Sequence, residues 1–323
     1  MNEPSASIVI ATRDRPRALA ETLRHLGRQA LERDEYEIVV ADDGSAPPIV
    51  LDFAEGTMLR LVRGEGEGRS ATRNAGAEAA RAGLLIFLDD DVTVGPEFVA
   101  AHLLAQREWP GVLGAGAIRL PQAVTLMPFG RFRGRLEEAG IPTARGLTAP
   151  PNLCAAGNMS IPRGTFLELG GFDHAIASGE DQDFALRHTA RGGRIAFLPD
   201  ALGLHRDEAL DVRRYCGRAE WGSEHLIAFC RRHPDWKDNL ERDRINGPVR
   251  WGREPVTESL KKVLKSGLCL PPALAALFAV AGILERFAAD GRALDRVYRL
   301  LLGLHLFRGY RRGLRAERRR GGS

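Results

Sequence analysis

The sequence predicts an α/β protein built on a doubly wound, mostly parallel sheet, with a helical extension at its C-terminus. Short aliphatic strands alternate with helical patterns in the first part of the chain, which is typical of a parallel sheet. Three polar positions, Thr12, Asp43 and Asp91, fall at the ends of predicted strands. Ligands of such sheets bind beyond the carboxyl ends of the strands, so we expect one site there.

The first strand and helix are predicted from a change of hydrophobic period. Residues 7–12 read Ser-Ile-Val-Ile-Ala-Thr, a short aliphatic run that fits a buried strand. Leu19, Leu23 and Leu26 then recur at helical spacing and place an apolar stripe on one face. Together they form the first half of a strand-helix-strand unit.

The same succession is repeated further along the chain. Residues 37–41 form a second aliphatic strand that ends on Asp42-Asp43-Gly44-Ser45, and a third short strand is predicted at 58–62. A helix follows that carries Ala71, Ala75, Ala79 and Ala80, and it leads into a fourth strand at 84–88.

The fourth strand stops on three adjacent carboxylates, Asp89, Asp90 and Asp91. Three acids side by side repel one another and need water, cations or hydrogen-bond donors. A divalent metal that holds a phosphate is the best candidate, because carboxylate oxygens bind Mg²⁺ and Mn²⁺ and these ions usually bridge to substrate phosphates. Taken alone, the motif also fits a solvated acidic turn.

An ordered set of motifs carries a family resemblance. The motifs are Ser-Ile-Val-Ile-Ala-Thr at 7–12, Val-Ala-Asp-Asp-Gly-Ser at 40–45, Arg-Asn-Ala-Gly at 73–76, Leu-Asp-Asp-Asp at 88–91, Gly-Asn-Met-Ser at 157–160, Gly-Gly-Phe-Asp at 170–173 and Gly-Glu-Asp-Gln-Asp-Phe at 179–184. The set resembles the family 2 inverting glycosyltransferases. The resemblance implies the GT-A fold, a Rossmann-like doubly wound sheet, over residues from about 5 to 210.

The resemblance also implies a nucleotide-sugar site with a metal ion, Mn²⁺ or Mg²⁺. Asp42 or Asp43 would hydrogen-bond the base or ribose, and Asp89 and Asp91 match the Asp-x-Asp motif of the family. The residues implied for the metal site are Asp91, Asp89 and His205, with Asp91 the expected direct ligand and Asp89 nearer the ribose. The residues implied for nucleotide-sugar binding are Thr12, Arg13, Asp42, Asp43, Arg69, Arg73, Asn74, Asp89 and Asp90.

The catalytic residues are implied by the Gly-Glu-Asp motif. Asp181 matches the base of the family, which takes the proton of the attacking hydroxyl group. Glu180 would support Asp181 or orient the acceptor. Asn158, Glu180 and Arg187 are the residues expected on the acceptor side.

Other classes of protein remain open at this point. Asp89-x-Asp91-x-Thr93 also fits the nucleophile motif of haloacid-dehalogenase-type phosphatases, which need a downstream lysine. The chain's lysines all fall late, at Lys237, Lys261, Lys262 and Lys265. A non-catalytic nucleotide-sugar-binding protein is a second alternative. A nucleotidyltransferase is a third, but its Gly-rich basic signature is missing near the first strand.

Length and composition predict a catalytic domain with an addition. The chain has 323 residues, of which 44% are hydrophobic and 27% charged. We predict a catalytic domain at 1–249, made of a nucleotide-sugar half (1–120), an acceptor half (121–210) and a helical part (211–249), and then an extension at 250–323. The four cysteines show no Cys-x-x-Cys spacing and no leader precedes the first strand, which predicts a cytoplasmic protein.

The extension is strongly basic. From residue 250 onward it holds 16 Lys and Arg against 6 Asp and Glu, whereas residues 1–249 hold 30 against 36. Residues 267–284 carry no charge. Further on, arginines alternate with apolar residues, which are Leu294, Val297, Leu301, Leu304 and Phe307. We predict peripheral contact with the anionic cytoplasmic face of a membrane. Packing on the catalytic domain, a homodimer and a bilayer span are the alternatives. Nucleic acid is not expected, because no zinc or aromatic-interleaved motif accompanies the charge.

The remaining expectations concern the acceptor. Residues 121–149 are rich in Gly, Pro and Arg and predict a mobile loop over the site. Residues 218–221 read Arg-Ala-Glu-Trp where processive relatives carry Gln-x-x-Arg-Trp. The sequence therefore predicts a metal-dependent, inverting, non-processive transferase that uses a UDP-, GDP- or dTDP-linked sugar. Its acceptor would be a carbohydrate or a lipid-linked molecule in cell-surface glycan or glycolipid synthesis.

Overall fold

The computed structural model describes residues 3–51, 58–139, 141–142, 145–147, 149–207, 211–289 and 291–320. The strands are β1 (Ala6–Thr12), β2 (Tyr36–Asp42), β3 (Met58–Arg63), β4 (Leu84–Asp89), β5 (Val92–Val94), β6 (Leu113–Arg119), β7 (Asn158–Pro162) and β8 (Ile195–His205). The helices are α1 (Pro16–Leu26), α2 (Arg69–Ala79), α3 (Phe98–Glu108), α4 (Gln122–Thr125), α5 (Pro128–Glu138), α6 (Arg163–Glu168), α7 (Glu180–Ala190), α8 (Val212–His225), α9 (Ile227–Arg232), α10 (Lys237–Asn246), α11 (Val256–Leu268), α12 (Pro271–Phe287) and α13 (Arg292–Arg320).

The strands form one mixed sheet in the order β3-β2-β1-β4-β7-β6-β8-β5. The first four are parallel to one another. β7 then runs antiparallel to both β4 and β6, and β6 is parallel to β8. The predicted doubly wound, mostly parallel sheet is confirmed, as are the four predicted strands of its N-terminal half.

Strand register brings the polar strand ends to one edge of the sheet. Thr12 pairs with Asp42 across β1 and β2, and Ala11 pairs with Asp89 across β1 and β4. At the far side, Val92 of β5 pairs with His205 of β8. Polar residues that are far apart in the sequence therefore meet at this edge.

The central strands are buried because helices cover both faces of the sheet. Ile8 and Ile10 of β1 belong to the core cluster that contains Leu19 of α1. Val9, which lies between them, belongs to the opposite cluster with Ala77 of α2. Alternate residues of one strand thus serve two apolar layers, which is why these strands read as continuous aliphatic runs.

Chain contacts divide the protein into two compact units. The first comprises residues 1–121, 137–174 and 180–207 and contains the sheet. The second comprises residues 122–136, 175–179 and 208–323 and is helical. The predicted boundary between residues 249 and 250 lies inside the second unit, and it stays a prediction.

The core of the second unit is formed largely by α13. The apolar face expected on lipid is buried here, since Leu294, Tyr298, Leu301 and Leu304 lie in a cluster with Cys216 of α8. A carboxylate on α8 reinforces the packing: Glu220 is buried and accepts hydrogen bonds from Arg308 and Arg312. The expectation of a lipid-facing α13 is therefore wrong for this face.

A second correction concerns part of residues 121–149, of which 140, 143, 144 and 148 lie outside the described residues. Where the sequence predicts a mobile loop, α5 forms a regular helix whose Phe129 and Phe132 are buried in the core of the second unit. The Arg133 guanidinium stacks over the ring of Tyr215, 4.9 Å from its centroid. The high content of Gly and Arg in this segment made its apolar face hard to recognise in the sequence, because its buried aromatic residues are Phe129 and Phe132 alone.

Among the described residues, no helix is by itself long and apolar enough to cross a membrane. Taken together, α11 and α12 have the length and apolar composition of a membrane span, but the two helices meet at a bend of 84°.

The close packing of α2 on β1 gives a prediction for stability. A Cβ atom at Gly76 would lie 2.5 Å from Cγ1 of Val9, which cannot withdraw from the core. We expect Gly76→Ala to lower the free energy of unfolding by about 1–3 kcal/mol, the usual result of overpacking. Gly83→Ala is the matched control, because no atom lies within 4 Å of a Cβ there. Equal urea midpoints for the two variants would contradict this account.

Candidate active site

The three adjacent carboxylates after β4 each have a different cationic or hydrogen-bonding partner. Asp89 accepts a hydrogen bond of 2.7 Å from Arg73. Asp90 is buried and accepts from the hydroxyl group of Thr12, also at 2.7 Å. Asp91 lies 3.3 Å from Nε2 of His205. The repulsion expected from three neighbouring acids is thus relieved by groups from three other elements.

Arg15 links two of these carboxylates. One terminal nitrogen donates to Asp90 at 2.7 Å and the other donates to Asp91 at 2.6 Å. Arg15 immediately precedes Pro16, the first residue of α1, so the start of the helix fixes the backbone position of Arg15. The planar guanidinium group suits this two-sided contact.

The turn between β1 and α1 is pinned to the loop after β2. Asp14 adopts a φ of 53°, a conformation that Asp tolerates better than most residues. Its backbone N–H donates to the Ser45 hydroxyl group, and its carboxylate accepts from the N–H of Ala46. Asp42 in turn accepts from both the N–H and the hydroxyl group of Ser45. Asp42 therefore holds this loop in place.

Asp43 caps α2. Its Oδ1 accepts from the N–H of Gly68, at 3.0 Å, and from the hydroxyl group of Thr72, at 2.9 Å. Its second oxygen lies 3.7 Å from the half-exposed guanidinium group of Arg13. Arg69 is exposed at the first turn of α2. These side chains line one end of the row of strand ends, on the side where the resemblance implies the nucleotide.

Arg73 connects the acidic strand end with α7. It is buried, and it donates to Asp89 and, at 3.0 Å, to Glu180. Burial opposes its charge, but these carboxylates outweigh burial and raise the pKa of Arg73. Gly157 leaves room for the pair, since a Cβ atom there would lie 2.6 Å from Oδ2 of Asp89.

Asp181 lies beside Glu180 in the first turn of α7. Its two carboxylate oxygens accept from the N–H groups of Gln182, at 2.8 Å, and Ala156, at 3.3 Å. Burial and the neighbouring charge of Glu180 raise the pKa of Asp181 to about 7. A carboxylate with such a pKa is suited to accept a proton near neutral pH.

Asp91 and His205 form the part of the site whose chemistry fits a divalent cation. Among the described residues, no group of three His, Cys, Asp or Glu side chains is arranged to hold a metal. One carboxylate and one imidazole are nevertheless in contact, and both are ligands for Mn²⁺. The hydrogen bonds and charges of His205 and Arg15 overcome burial and hold the pKa of Asp91 well below its usual range. The donor set fits a cation whose other ligands come from a diphosphate and water.

Two of the predicted site residues are occupied by structural hydrogen bonds. The amide of Asn74 exchanges two bonds with the backbone of Phe172. Asn158 is fully buried and donates to the carbonyl groups of Ala117 and Ala201. Both amides therefore serve the fold, and we assign neither to a ligand.

Arg187 is engaged in the same way. Its Nε donates to Asp183, and its two terminal nitrogens donate to the carbonyl groups of Leu169 and Gly171. The side chain holds α7 against the preceding loop, so we do not assign it to the acceptor either.

Sequence reasoning missed the part played by Arg15. The residue stands in the same polar strand end as Thr12 and Arg13, but nothing in its spacing distinguishes it from an exposed arginine. The feature of the sequence that could have indicated this role is its position just before Pro16, the proline that starts α1. The bridge from Arg73 to Glu180 was missed as well, although both residues were singled out.

Known glycosyltransferases are similar to this chain in sequence. Residues 7–135 match the family described as Glycosyl transferase family 2. The chain is 37% identical over 272 residues to validoxylamine A glucosyltransferase from Streptomyces hygroscopicus subsp. jinggangensis, covering 72% of this chain and 61% of that protein. It is 28% identical over 213 residues to pre-mycofactocin glycosyltransferase from Mycobacterium tuberculosis, covering 61% and 43%.

The fold is shared with a solved structure. The mannosyltransferase PcManGT from Pyrobaculum calidifontis, in complex with GDP-Man and Mn²⁺, superimposes with a TM-score of 0.58 and 16% identity. The match covers 95% of this chain and 88% of that one. The sheet and its row of polar strand ends thus define a GT-A protein. The chain is similar to the glycosyl transferase family 2 proteins over residues 7–135, and it spans about three fifths of the length of the first curated relative.

The raised pKa of Asp181 gives a prediction for stability against pH. An unfolded Asp loses its proton near pH 3.9, whereas the folded protein holds this proton up to about pH 7. The folded state therefore binds more protons in this window, and wild-type stability falls as pH rises through it.

Asp181→Asn removes this ionisation and keeps an oxygen for the Gln182 N–H. We expect the variant to match the wild type near pH 4 and to exceed it above pH 7 by about 1–3 kcal/mol. Asp200→Asn, at an exposed position of β8, is the control and should change nothing. Urea unfolding at several pH values measures the difference. A constant offset at all pH values would mean that Asp181 is not ionising in this range.

Proposed function

We propose that this protein transfers a sugar from a nucleotide-diphosphate sugar to a hydroxyl group by a single displacement that inverts the anomeric carbon. The observation that carries the proposal is the carboxylate of Asp181, whose pKa is raised to about 7 and which is tied through Glu180 and Arg73 to the acidic strand end. Glu180 and Asp89, which share Arg73, thereby link a proton acceptor to a strand end whose carboxylates suit a cation.

Donor binding is assigned to the row of strand ends. Thr12, Arg13, Asp42 and Asp43 lie on the side of the site where the resemblance puts the nucleotide. Asp91 and His205 would hold a divalent cation, for which Mn²⁺ in PcManGT is the precedent. When bound, such a cation neutralises the charge that develops on the diphosphate leaving group. The four lysines all lie in the second unit, so the sheet-containing unit relies on arginines and a cation for this charge.

In the chemical step one bond forms, one bond breaks and one proton is transferred. The acceptor oxygen forms a bond to the anomeric carbon as the bond from that carbon to the diphosphate breaks, and the hydroxyl proton passes to Asp181. A base whose pKa is near the working pH is the most effective for such a transfer. Burial and the charge of Glu180 keep the pKa of Asp181 high, and Arg73 holds Glu180 in place.

The acceptor is proposed only as a class. One relative is named for validoxylamine A and another for pre-mycofactocin, so a discrete hydroxyl-bearing molecule is a reasonable acceptor beside a lipid-linked one. Transfer of a single sugar is supported by Glu220, which occupies the Arg-Ala-Glu-Trp segment and is buried in ion pairs with α13. That segment serves packing within the second unit.

The phosphatase alternative is wrong for this chain. The match of residues 7–135, which include Asp89, to glycosyl transferase family 2 contradicts it, and Asp89, which would be the nucleophile, is bonded to Arg73. A non-catalytic nucleotide-sugar-binding protein is the alternative that the kinetic experiment below separates from an enzyme.

The metal proposal predicts that donor binding depends on Asp91. We expect Asp91→Asn to weaken Mn²⁺-dependent binding of the matching UDP-, GDP- or dTDP-sugar by at least about 10–100-fold. Replacing a residue that only hydrogen-bonds to a metal ligand already causes a loss of about this size. Calorimetry with and without Mn²⁺ measures it, with Asp200→Asn as control. Wild-type affinity that is unchanged by a chelator would disprove the metal assignment.

The base proposal predicts a loss of turnover without loss of donor. Asp181→Asn should lower kcat by about 10²-fold or more and leave the donor Kd nearly unchanged. In the wild type, kcat/KM should fall as pH drops below about 7, because Asp181 becomes protonated. The exposed residue Glu168 supplies the control, Glu168→Gln. If the wild type binds donor yet transfers sugar to no acceptor in a broad screen, the protein is a binding module.

A further inference from the structure

The helices α11 and α12 present an apolar outer face in the second unit. Eight large apolar side chains on these helices and at the bend between them are 43 to 77% exposed. These side chains are Val256, Leu260, Val263, Leu264, Val280, Ile283 and Phe287, with Leu270 at the bend between the helices. Soluble monomers rarely expose a contiguous apolar patch larger than about 300–600 Å².

The opposite sides of both helices are packed within the unit. Ser259 and Lys262 of α11 are buried, and Lys262 pairs with Glu254 at 2.6 Å. Leu274 and Ala281 of α12 lie in the core cluster that contains Tyr298. The inner sides of the two helices therefore pack within the second unit, whereas their outer face does not contribute to its core.

The charges on the outer face have one sign. Among the exposed residues of α11 and α12, the charged ones are Lys261 and Arg286. Between them the exposed positions are apolar or small, apart from Ser266. The acids on these helices, Glu258 and Glu285, are half-buried and bonded to Lys261 and Tyr298. The face is thus an apolar surface with a cation near each end.

Neither helix has the dimensions of a membrane span. At a rise of about 1.5 Å per residue, α11 with 13 residues and α12 with 17 fall short of the roughly 30 Å hydrocarbon core. The bend of 84° prevents them from forming one continuous rod. Insertion into a single leaflet suits both their length and their angle.

We propose that the outer face of α11 and α12 docks on an anionic lipid bilayer, with the apolar side chains in the interfacial region and Lys261 and Arg286 at the headgroups. Anionic headgroups complement these cations, whereas a second copy of the same face would place no exposed acidic side chain of α11 or α12 opposite them. The docking surface is independent of the sugar-transfer proposal, because none of its residues belongs to the site described above.

Flotation of the full-length protein with vesicles tests the proposal. We expect binding to vesicles that contain phosphatidylglycerol and at least fivefold less binding to pure phosphatidylcholine. Salt at ~0.5 M should reduce but not abolish binding, because it screens the cations and leaves the apolar contact. No binding of the wild type to anionic vesicles would overturn the proposal.

Matched variants locate the surface. Leu264→Glu with Ile283→Glu, at positions 63% and 58% exposed, should lower the bound fraction at least fivefold. Leu104→Glu with Leu240→Glu, at 50% and 57%, should leave it unchanged. Equal losses in both double variants would refute this location.

Hydrogen exchange and sedimentation separate lipid docking from self-association. Hydrogen exchange of the wild type with and without vesicles should show protection confined to residues 256–287, which does not depend on any variant folding. Sedimentation without lipid reports on dimers. A dimer that Leu264→Glu with Ile283→Glu dissolves, together with no vesicle binding, would identify the face as an interface between copies and reject the lipid proposal. Donor binding is measured in every variant, and its loss would point to a damaged fold.

Discussion

The requirement to neutralise three adjacent carboxylates at the end of a buried strand organises the whole site. β4 must be apolar to lie in the middle of the sheet, yet it delivers Asp89, Asp90 and Asp91 to its end. Each acid needs a donor or a cation, and the donors come from β1, from the start of α1, from α2 and from β8. Satisfying the acids therefore assembles the polar ends of separate strands into one site.

The same principle separates two carboxylates into opposite chemical states. The hydrogen bonds and charges of His205 and Arg15 outweigh burial at Asp91 and hold its pKa low, which suits a group that binds cations. Asp181 is desolvated beside another acid, so its pKa rises to about 7. Arg73 binds both Glu180 and Asp89 and so links the two environments without equalising them. Carboxylates whose pKa values are pushed apart in this way commonly take different roles in an enzyme.

In the helical unit, different helices carry the arginines and the exposed apolar surface. α13 is rich in arginine but turns its apolar face inward, where Glu220 binds two of its arginines. α11 and α12 do the reverse and leave apolar side chains outside. A basic composition in this region therefore says little about which helix meets a partner, since the same arginines can serve packing.

The sequence alone determined the four strands of the N-terminal half, their order of appearance and the polar residues at their ends, because hydrophobic period and motif spacing are local properties of the chain. Through the family resemblance it also singled out Asp181 and His205. It did not show α5, whose apolar face is hidden among Gly and Arg, or the inward face of α13. Nor did it pair Arg15 with Asp90 across 75 residues, or Arg73 with Glu180 across 107. Those pairings depend on sheet register and helix docking, which bring distant side chains within hydrogen-bonding distance only after the tertiary structure has formed.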